Sequence, residues 1–311
     1  MSQCLQAIIV TGPTASGKSS LAVSLASHLN AEIINGDAMA VYQGMDIGTA
    51  KPSQHERAGV PHHLLDVIPT NDHCNVQRWL DLADAATRDI HQRGKVPIIC
   101  GGSILSIKAY LEGLSAGPPR DEALRAQLEA RLAREGSAAL FEELMAVDPE
   151  YAAQRHPNDH RRIIRALEVW HSSGKPYSAY HTTDGQRRAN RSCLLLAIHW
   201  PREILYRRIN ARCKAMFAAG LVEEVRSLMP QLSDEAAQAV GYKEVLAYLR
   251  GETSLDEAAE RTRRASRRLA KHQLTWLKRF PEMHWLKGDD PELLQRASQL
   301  AQNFLQPPAS P

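Results

Sequence analysis

Gly12-Pro13-Thr14-Ala15-Ser16-Gly17-Lys18-Ser19 fits the pattern G-x-x-x-x-G-K-[ST] in full. A β-branched run at residues 7–11 precedes it, and residues 19–29 follow with Leu21, Leu25 and Leu29 at helical spacing. Strand, glycine loop and helix in that order form a phosphate cradle. The glycines let successive backbone N–H groups turn inward, and the helix N-terminus adds its positive dipole end. Lys18 brings a point charge to the outer phosphates, and the Ser19 hydroxyl can hold Mg²⁺. By composition the pattern arises in only about one chain in a hundred of this length. The loop says that a phosphate compound is bound. It does not say which one, or whether a phosphate is what moves.

A loop of this kind constrains the fold to an α/β one. Further short apolar runs lie at residues 32–35, 64–67, 96–100, 194–199 and 284–286. Helical spacing over 75–93 separates two of them. Strands alternating with helices predict a parallel sheet flanked by helices on both faces. Ligands in such sheets bind beyond the carboxyl ends of the strands, where Gly12, Gly36 and Gly101 fall. Residues 121–146 and 159–173 read as helices with no strand pattern between them. The expected organisation is a P-loop core of residues 1–119 and 191–305, with a helical insertion domain at 120–190. Residues 203–229 and 255–279 read as helices returned to the core, and 306–311 as a disordered tail.

The totals exclude several classes. Hydrophobic residues make up 43% of the 311, enough for a large core. A net charge of +3 is too small for a uniformly basic nucleic-acid binder, so the placement of charge carries the information. Five cysteines, Cys4, Cys74, Cys100, Cys193 and Cys213, are scattered without a CxxC pair, which points to neither a disulfide framework nor a zinc site. The adjacent His62 and His63 lack a partner at ligand spacing. Without a secretory pattern or a long apolar segment, a cytoplasmic protein with no membrane partner is expected.

Two segments hold local positive charge. Residues 155–191 carry eight Lys/Arg against Asp159, Glu168 and Asp184. Residues 261–279 carry eight Lys/Arg and no acid. Such patches suit contact with a phosphate backbone, and Trp170, Tyr177, Tyr180 and Trp276 could stack on unpaired bases. A solvated helix face with core aromatics is the competing reading.

Asp37 directly follows the strand at 32–35. Its carboxylate could reach the phosphate loop, hold Mg²⁺ through water or accept a proton from a nucleophile. Asn35-Gly36-Asp37 is also a turn sequence, so a capping role fits equally. The glycine-punctuated segment 41–52 that follows suits a substrate loop.

Taken together, GPTASGKS (12–19), NGDAMAVYQGMDIGTAKP (35–52), HHLLDV (62–67), GGS (101–103), HPNDHRRIIRALEV (156–169), MFAAGLVEEV (216–225), AVGYKE (239–244) and TRRASRRLAKHQLTW (262–276) resemble the bacterial tRNA dimethylallyltransferase family over residues 8 to about 286. The resemblance implies transfer of a dimethylallyl group from dimethylallyl diphosphate to N6 of the adenosine 3′-adjacent to the anticodon, in tRNAs reading codons that begin with U. The phosphate loop, Gly12 to Ser19, would then grip a diphosphate that leaves, with Mg²⁺ as cofactor and no ATP consumed. It implies catalytic roles for Asp37 as general base, for Ser103 and for Arg125. It implies contacts with the tRNA anticodon stem-loop at Asp37, Ala38, Met39, Ala40, Arg161, Arg162, Ile163, Ile164, Arg165, Gly241, Tyr242, Lys243, Lys271 and Gln273, and action as a monomer. Ala38, Gln43, Ser103, Ser106 and His272 depart from the family pattern, and Ala38 removes a hydroxyl near the adenine. A P-loop small-molecule kinase, a transferase acting on free adenine nucleotides and a non-catalytic RNA-binding protein are the alternatives.

Overall fold

The structure is a computed structural model that describes residues 5–114, 117–180 and 188–306. The tail expected to be disordered lies, from 307 on, outside the described residues, as do Cys4, Asp184 and Arg187.

Six strands form one sheet: β1 (Leu5–Thr11), β2 (Ala31–Asn35), β3 (His62–His63), β4 (Val96–Cys100), β5 (Arg191–His199) and β6 (His284–Lys287). Their order is β3-β2-β4-β1-β5-β6, and every pairing is parallel. In register, Ile9 lies between Ile99 and Leu195, and Ile34 pairs with Ile99. Ile8, Ile9, Val10, Ile34, Ile98 and Leu196 are fully buried, as strands covered on both faces require. β4 lies between β1 and β2, so the phosphate loop after β1 and Asp37 after β2 are next-but-one neighbours at the same sheet edge.

One strand is displaced from its expected position. Residues 64–67 are not a strand, and β3 ends at His63. Leu64 and Asp66 have φ of 62° and 56°, left-handed backbone that cannot continue a pleat. The helix expected over 203–229 breaks into Arg202–Ala218 and Leu221–Leu228, separated at Gly220 with φ 100°. Helices Lys18–Leu29, Val76–Gln92 and Leu255–Leu277 lie within about two residues of their expected bounds.

The chain divides into two compact units. The first contains residues up to Leu111 and from Arg188 on; the second is Glu112–Arg187. The core therefore ends earlier on one side and resumes earlier on the other than the expected 119 and 191. The reason is local pairing within the core. Arg188 N donates to Leu111 O at 3.0 Å, and the Arg188 and Arg191 guanidiniums both bond Asp84, each with a contact at 2.6 Å. The second unit has its own apolar core, in which Leu128, Leu140 and Leu144 pack with Ile163, Ile164 and Leu167. Its long helix, Glu122–Val147, is interrupted at Gly136, φ 82°.

Candidate active site

The phosphate loop is held from three directions. Gln273 accepts from Thr14 N at 2.8 Å and donates to Gly102 O at 2.9 Å. Trp200 Nε1 donates to Ser16 O at 2.9 Å, and Arg208 Nε donates to Ala15 O at 2.8 Å. Ala15 and Gly17 have positive φ, 63° and 95°, which turns their amides inward. Ser16 Oγ is buried without a hydrogen-bond partner. The loop is thus pre-shaped around a polar concavity.

Beside it the turns after β2 and β4 approach closely. Gly36 N donates to Cys100 O at 2.8 Å, and Ser103 N donates to Gly36 O at 3.2 Å. A Cβ on Gly101 would lie 2.1 Å from the Gly36 carbonyl, so only glycine fits there. Asp37 sits on this turn. Its Oδ1 accepts from Met39 N at 2.9 Å, while its own N–H donates to Asn35 Oδ1 at 3.0 Å. Trp79 Nε1 donates to Asn35 O at 2.9 Å and fixes the turn from below the sheet edge. Asp37 therefore caps the turn with one oxygen and also lines a cavity of about 300 Å³.

That cavity joins Thr14, Lys18 and Ser19 to Asp37, Met39 and Ala40. Ile209, Met216, Val240 and Leu269 add an apolar wall. Arg212 enters it from helix Arg202–Ala218, its guanidinium 3.4 Å from Thr49 O. Burial and the neighbouring Arg212 charge lower the Lys18 pKa, and Asp37 opposes the shift. Burial likewise lowers that of Arg212, again opposed by Asp37. Two crowded cations with one carboxylate leave the cavity short of negative charge. Cys100 lies against Lys18 and contacts the Ser19 hydroxyl; burial pushes its thiol up to about 11, so it stays neutral.

Segment 46–52 forms another wall. Glu224 accepts from the backbone N–H groups of Asp46, Ile47 and Gly48 at 3.0, 2.6 and 3.0 Å. A Cβ on Gly48 would come within 2.4 Å of the Tyr242 ring. Lys51, almost wholly buried, bonds Tyr42 O, Asp46 and Asp66.

Several expected contacts are relocated. Tyr242 has no exposed surface, and its hydroxyl donates to Glu224 at 2.6 Å. Gln273 is 5% exposed and spans the phosphate loop and Gly102. Ile163 and Ile164 are core residues of the helical unit. The side chains at these four positions are engaged inside the protein. Gly241, φ 96°, starts helix Tyr242–Leu249, and Lys243 is exposed beyond it.

Ser103 receives a hydrogen bond from Ser106 Oγ at 2.9 Å, which leaves its own hydroxyl proton to donate. Arg125, in the helical unit, pairs with Glu129 at 3.1 Å and with buried Glu168 at 3.5 Å. Arg165 also bonds Glu168, at 2.9 Å, and Arg162 bonds Asp159, at 2.5 Å. Arg161 is exposed.

The basic helix Leu255–Leu277 is less bare than its sequence implies. Glu257 pairs with Arg261 and Arg264, and Glu260 with Arg263 and Arg267. Helical spacing folds the preceding acids back onto the arginines three, four and seven residues on. Arg268 and Lys271 are exposed and lie beyond reach of these acids. Arg279 stacks on Trp276 at 4.2 Å.

His63 bonds Glu32 at 2.7 Å and His62 bonds Val60 O at 2.8 Å, so both serve the structure. Among the described residues no group of three His, Cys, Asp or Glu could hold a metal ion. Nor is any helix there long and apolar enough to cross a membrane.

Fold and site define a P-loop enzyme whose phosphate cradle faces a carboxylate across a partly apolar cavity. The IPP transferase family matches residues 40–280, and the chain belongs to that family. A tRNA dimethylallyltransferase of Geobacter sulfurreducens is 47% identical over 90% of this chain and 91% of its own length. One from Geobacillus thermodenitrificans is 47% identical over 92% and 91%. A full-length tRNA isopentenylpyrophosphate transferase from Bacillus halodurans superposes with a TM-score of 0.72 at 37% identity, covering 97% of both chains. A eukaryotic dimethylallyltransferase solved acting on tRNA gives 0.82 at 27% identity, covering 96% of this chain and 79% of that one.

Arg212 and Glu224 were not singled out by sequence reasoning. Arg212 stands amid other helix arginines, and only the cavity separates it from Arg207 or Arg208. Glu224 lies within MFAAGLVEEV, but its bonds reach residues nearly 180 positions away, beyond any local pattern.

Proposed function

We propose that this chain is a tRNA dimethylallyltransferase, acting at N6 of the adenosine 3′-adjacent to the anticodon with dimethylallyl diphosphate as donor. The observation that carries the reading is the gathering of cations and carboxylate in one cavity, which Lys18, Arg212 and Asp37 all line.

In this reading the amides of the phosphate loop, Lys18 and Arg212 bind the diphosphate and neutralise it as it leaves. The bond from C1 of the allyl group to the diphosphate oxygen breaks. A bond from C1 to N6 of adenine forms, and Asp37 takes the N6 proton through its free oxygen. Ser103, its hydroxyl proton unspent, can donate near the same centre. The apolar wall of Ile209, Met216, Val240 and Leu269 suits a five-carbon hydrocarbon and keeps water from the cation-like carbon. Adenine reaches such a cavity by leaving its stack.

The residues also fit Mg²⁺. That ion keeps most of its waters and uses substrate phosphates with few protein oxygens, which agrees with one hydroxyl, Ser19, beside one carboxylate. When bound, it would supply further charge neutralisation of the diphosphate. A tRNA substrate supports a cytoplasmic setting.

Incubation with Mg²⁺, unmodified tRNA and carbon-labelled dimethylallyl diphosphate tests the reading. Label in tRNA, absent with Asp37→Ala, is the expected result. Label entering only adenosine monophosphate, or turnover of ATP without label transfer, would overturn it.

A further inference from the structure

A second concavity, of about 530 Å³, shares Lys18, Ser19 and Arg212 with the cavity and adds Ala15, Gly17 and Arg208. Arg208 is held in an unusual way for an exposed arginine. Its guanidinium lies 4.5 Å above the Trp200 ring, and only Nε is used, by Ala15 O at 2.8 Å. Its Nη2 reaches to 3.7 Å from where a Cβ on Gly17 would stand, so the terminal nitrogens hang over the phosphate loop. No carboxylate among the described residues takes them. Glu56, on the same wall, is committed to Ser53 N and Oγ at 2.8 and 2.9 Å.

A guanidinium stacked on an indole and pinned by one hydrogen bond has lost most of its freedom already. Its open edge is a fork suited to two phosphoryl oxygens. Lys18, Ser19 and Arg212 line the same concavity, so the fork stands at a site that already gathers cations and the loop's hydroxyl.

We propose that Arg208 is a binding residue for the second phosphoryl group of the donor, which it grips while the loop amides and Lys18 hold the other. This deepens the transferase reading and rests on it for the identity of the donor. Arg208 makes the site selective for a diphosphate over a monophosphate, and its charge helps the diphosphate depart.

The test uses the full chain with Mg²⁺. Binding of inorganic pyrophosphate and of orthophosphate is measured by calorimetry for the wild type, Arg208→Gln and Arg208→Lys. Initial rates are measured against dimethylallyl diphosphate and tRNA separately. Gln keeps an N–H for Ala15 O but removes the charge and the fork. The expected result for Arg208→Gln is pyrophosphate affinity weakened about tenfold to a hundredfold. Orthophosphate affinity stays within about threefold, KM for the donor rises, and KM for tRNA and Tm are unchanged. Arg208→Lys falls between the two. Pyrophosphate affinity equal to wild type in Arg208→Gln would reduce Arg208 to a clamp and overturn the inference. So would equal loss of both anions together with a fallen Tm. If pyrophosphate binding depends on Arg208 but the wild type transfers nothing to tRNA, this inference stands and the transferase reading fails.

Discussion

The Tyr242 hydroxyl donates to the Glu224 carboxylate at 2.6 Å, and the same carboxylate takes three consecutive backbone N–H groups of the loop at Asp46–Gly48. One side chain thus fixes a long glycine-punctuated loop whose far end, Thr49 to Pro52, lines the cavity. Glu224→Ala leaves those N–H groups without an acceptor, at a cost of about 1–3 kcal/mol. Thermal unfolding should show it as a lowered Tm, and KM for the diphosphate should rise as the wall loosens. Tyr242→Phe removes one bond of the set and should have the milder effect of the two.

Gly48 tests the same relationship sterically. A methyl group there meets the Tyr242 ring at 2.4 Å. Gly48→Ala should destabilise the protein by about 1–3 kcal/mol through overpacking. In a Tyr242→Ala background the same Gly48→Ala change should cost less in a denaturant titration than it does in wild type, because the clash partner is gone. Equal stability of Gly48→Ala and wild type would show that the loop relaxes freely.

Much of this architecture could be read from residue order. The phosphate loop, the strands at 7–11, 32–35, 96–100, 194–199 and 284–286, and Asp37 at a strand end are local patterns, and they lie where those patterns put them. What escaped is non-local. Gln273, which the resemblance places among the RNA contacts, bonds Thr14 and Gly102, more than 170 positions away along the chain. The run at 64–67 has the composition of a strand, but left-handed backbone at Leu64 and Asp66 turns it aside. The basic run 261–279 holds no acid of its own, but Glu257 and Glu260 stand just before it on the same helix, and their ion pairs with Arg261, Arg263, Arg264 and Arg267 depend on side-chain placement that residue order does not give.

Asp37 has a turn role and a chemical role, and one substitution separates them. Asn keeps an oxygen for Met39 N but cannot take a proton. Asp37→Asn should unfold at the wild-type temperature and lose transfer by about 10²–10⁴-fold, the usual worth of a general base. Single-turnover rates with saturating donor and tRNA would show whether the loss is in chemistry. A variant that retains full rate would remove Asp37 from proton transfer.

Glu32, almost fully buried, bonds Arg93, Lys95 and His63 between β2 and its neighbours. The Arg93 guanidinium, with Lys95 and His63, holds its carboxyl well below the usual carboxylate range. A folded-state pKa below the unfolded one contributes stability that is complete above the unfolded value, near 4.3, and is lost as pH falls toward the folded one. Wild type should therefore lose stability below about pH 4. Glu32→Gln should be less stable at pH 7 and show a flatter acid limb, so that the two denaturation midpoints converge as pH drops. Parallel curves would mean that this ion cluster does not contribute to acid sensitivity.

The two halves of helix Leu255–Leu277 should differ in their importance for RNA. Arg261 and Arg264 are engaged by Glu257, whereas Arg268 and Lys271 are exposed past the acids. A cation already neutralised by a neighbouring carboxylate releases few counterions when it meets a phosphate, while a solvated one contributes close to one. Arg268→Gln with Lys271→Gln should weaken tRNA binding and lower the magnitude of the slope of log affinity against log salt by about 1–2. Arg261→Gln with Arg264→Gln should change that slope by less than about 0.5. Filter binding at four or five salt concentrations gives both slopes. If the pairs behave alike, the helix contacts RNA along its whole length, and the acids at its start yield to the phosphates on binding.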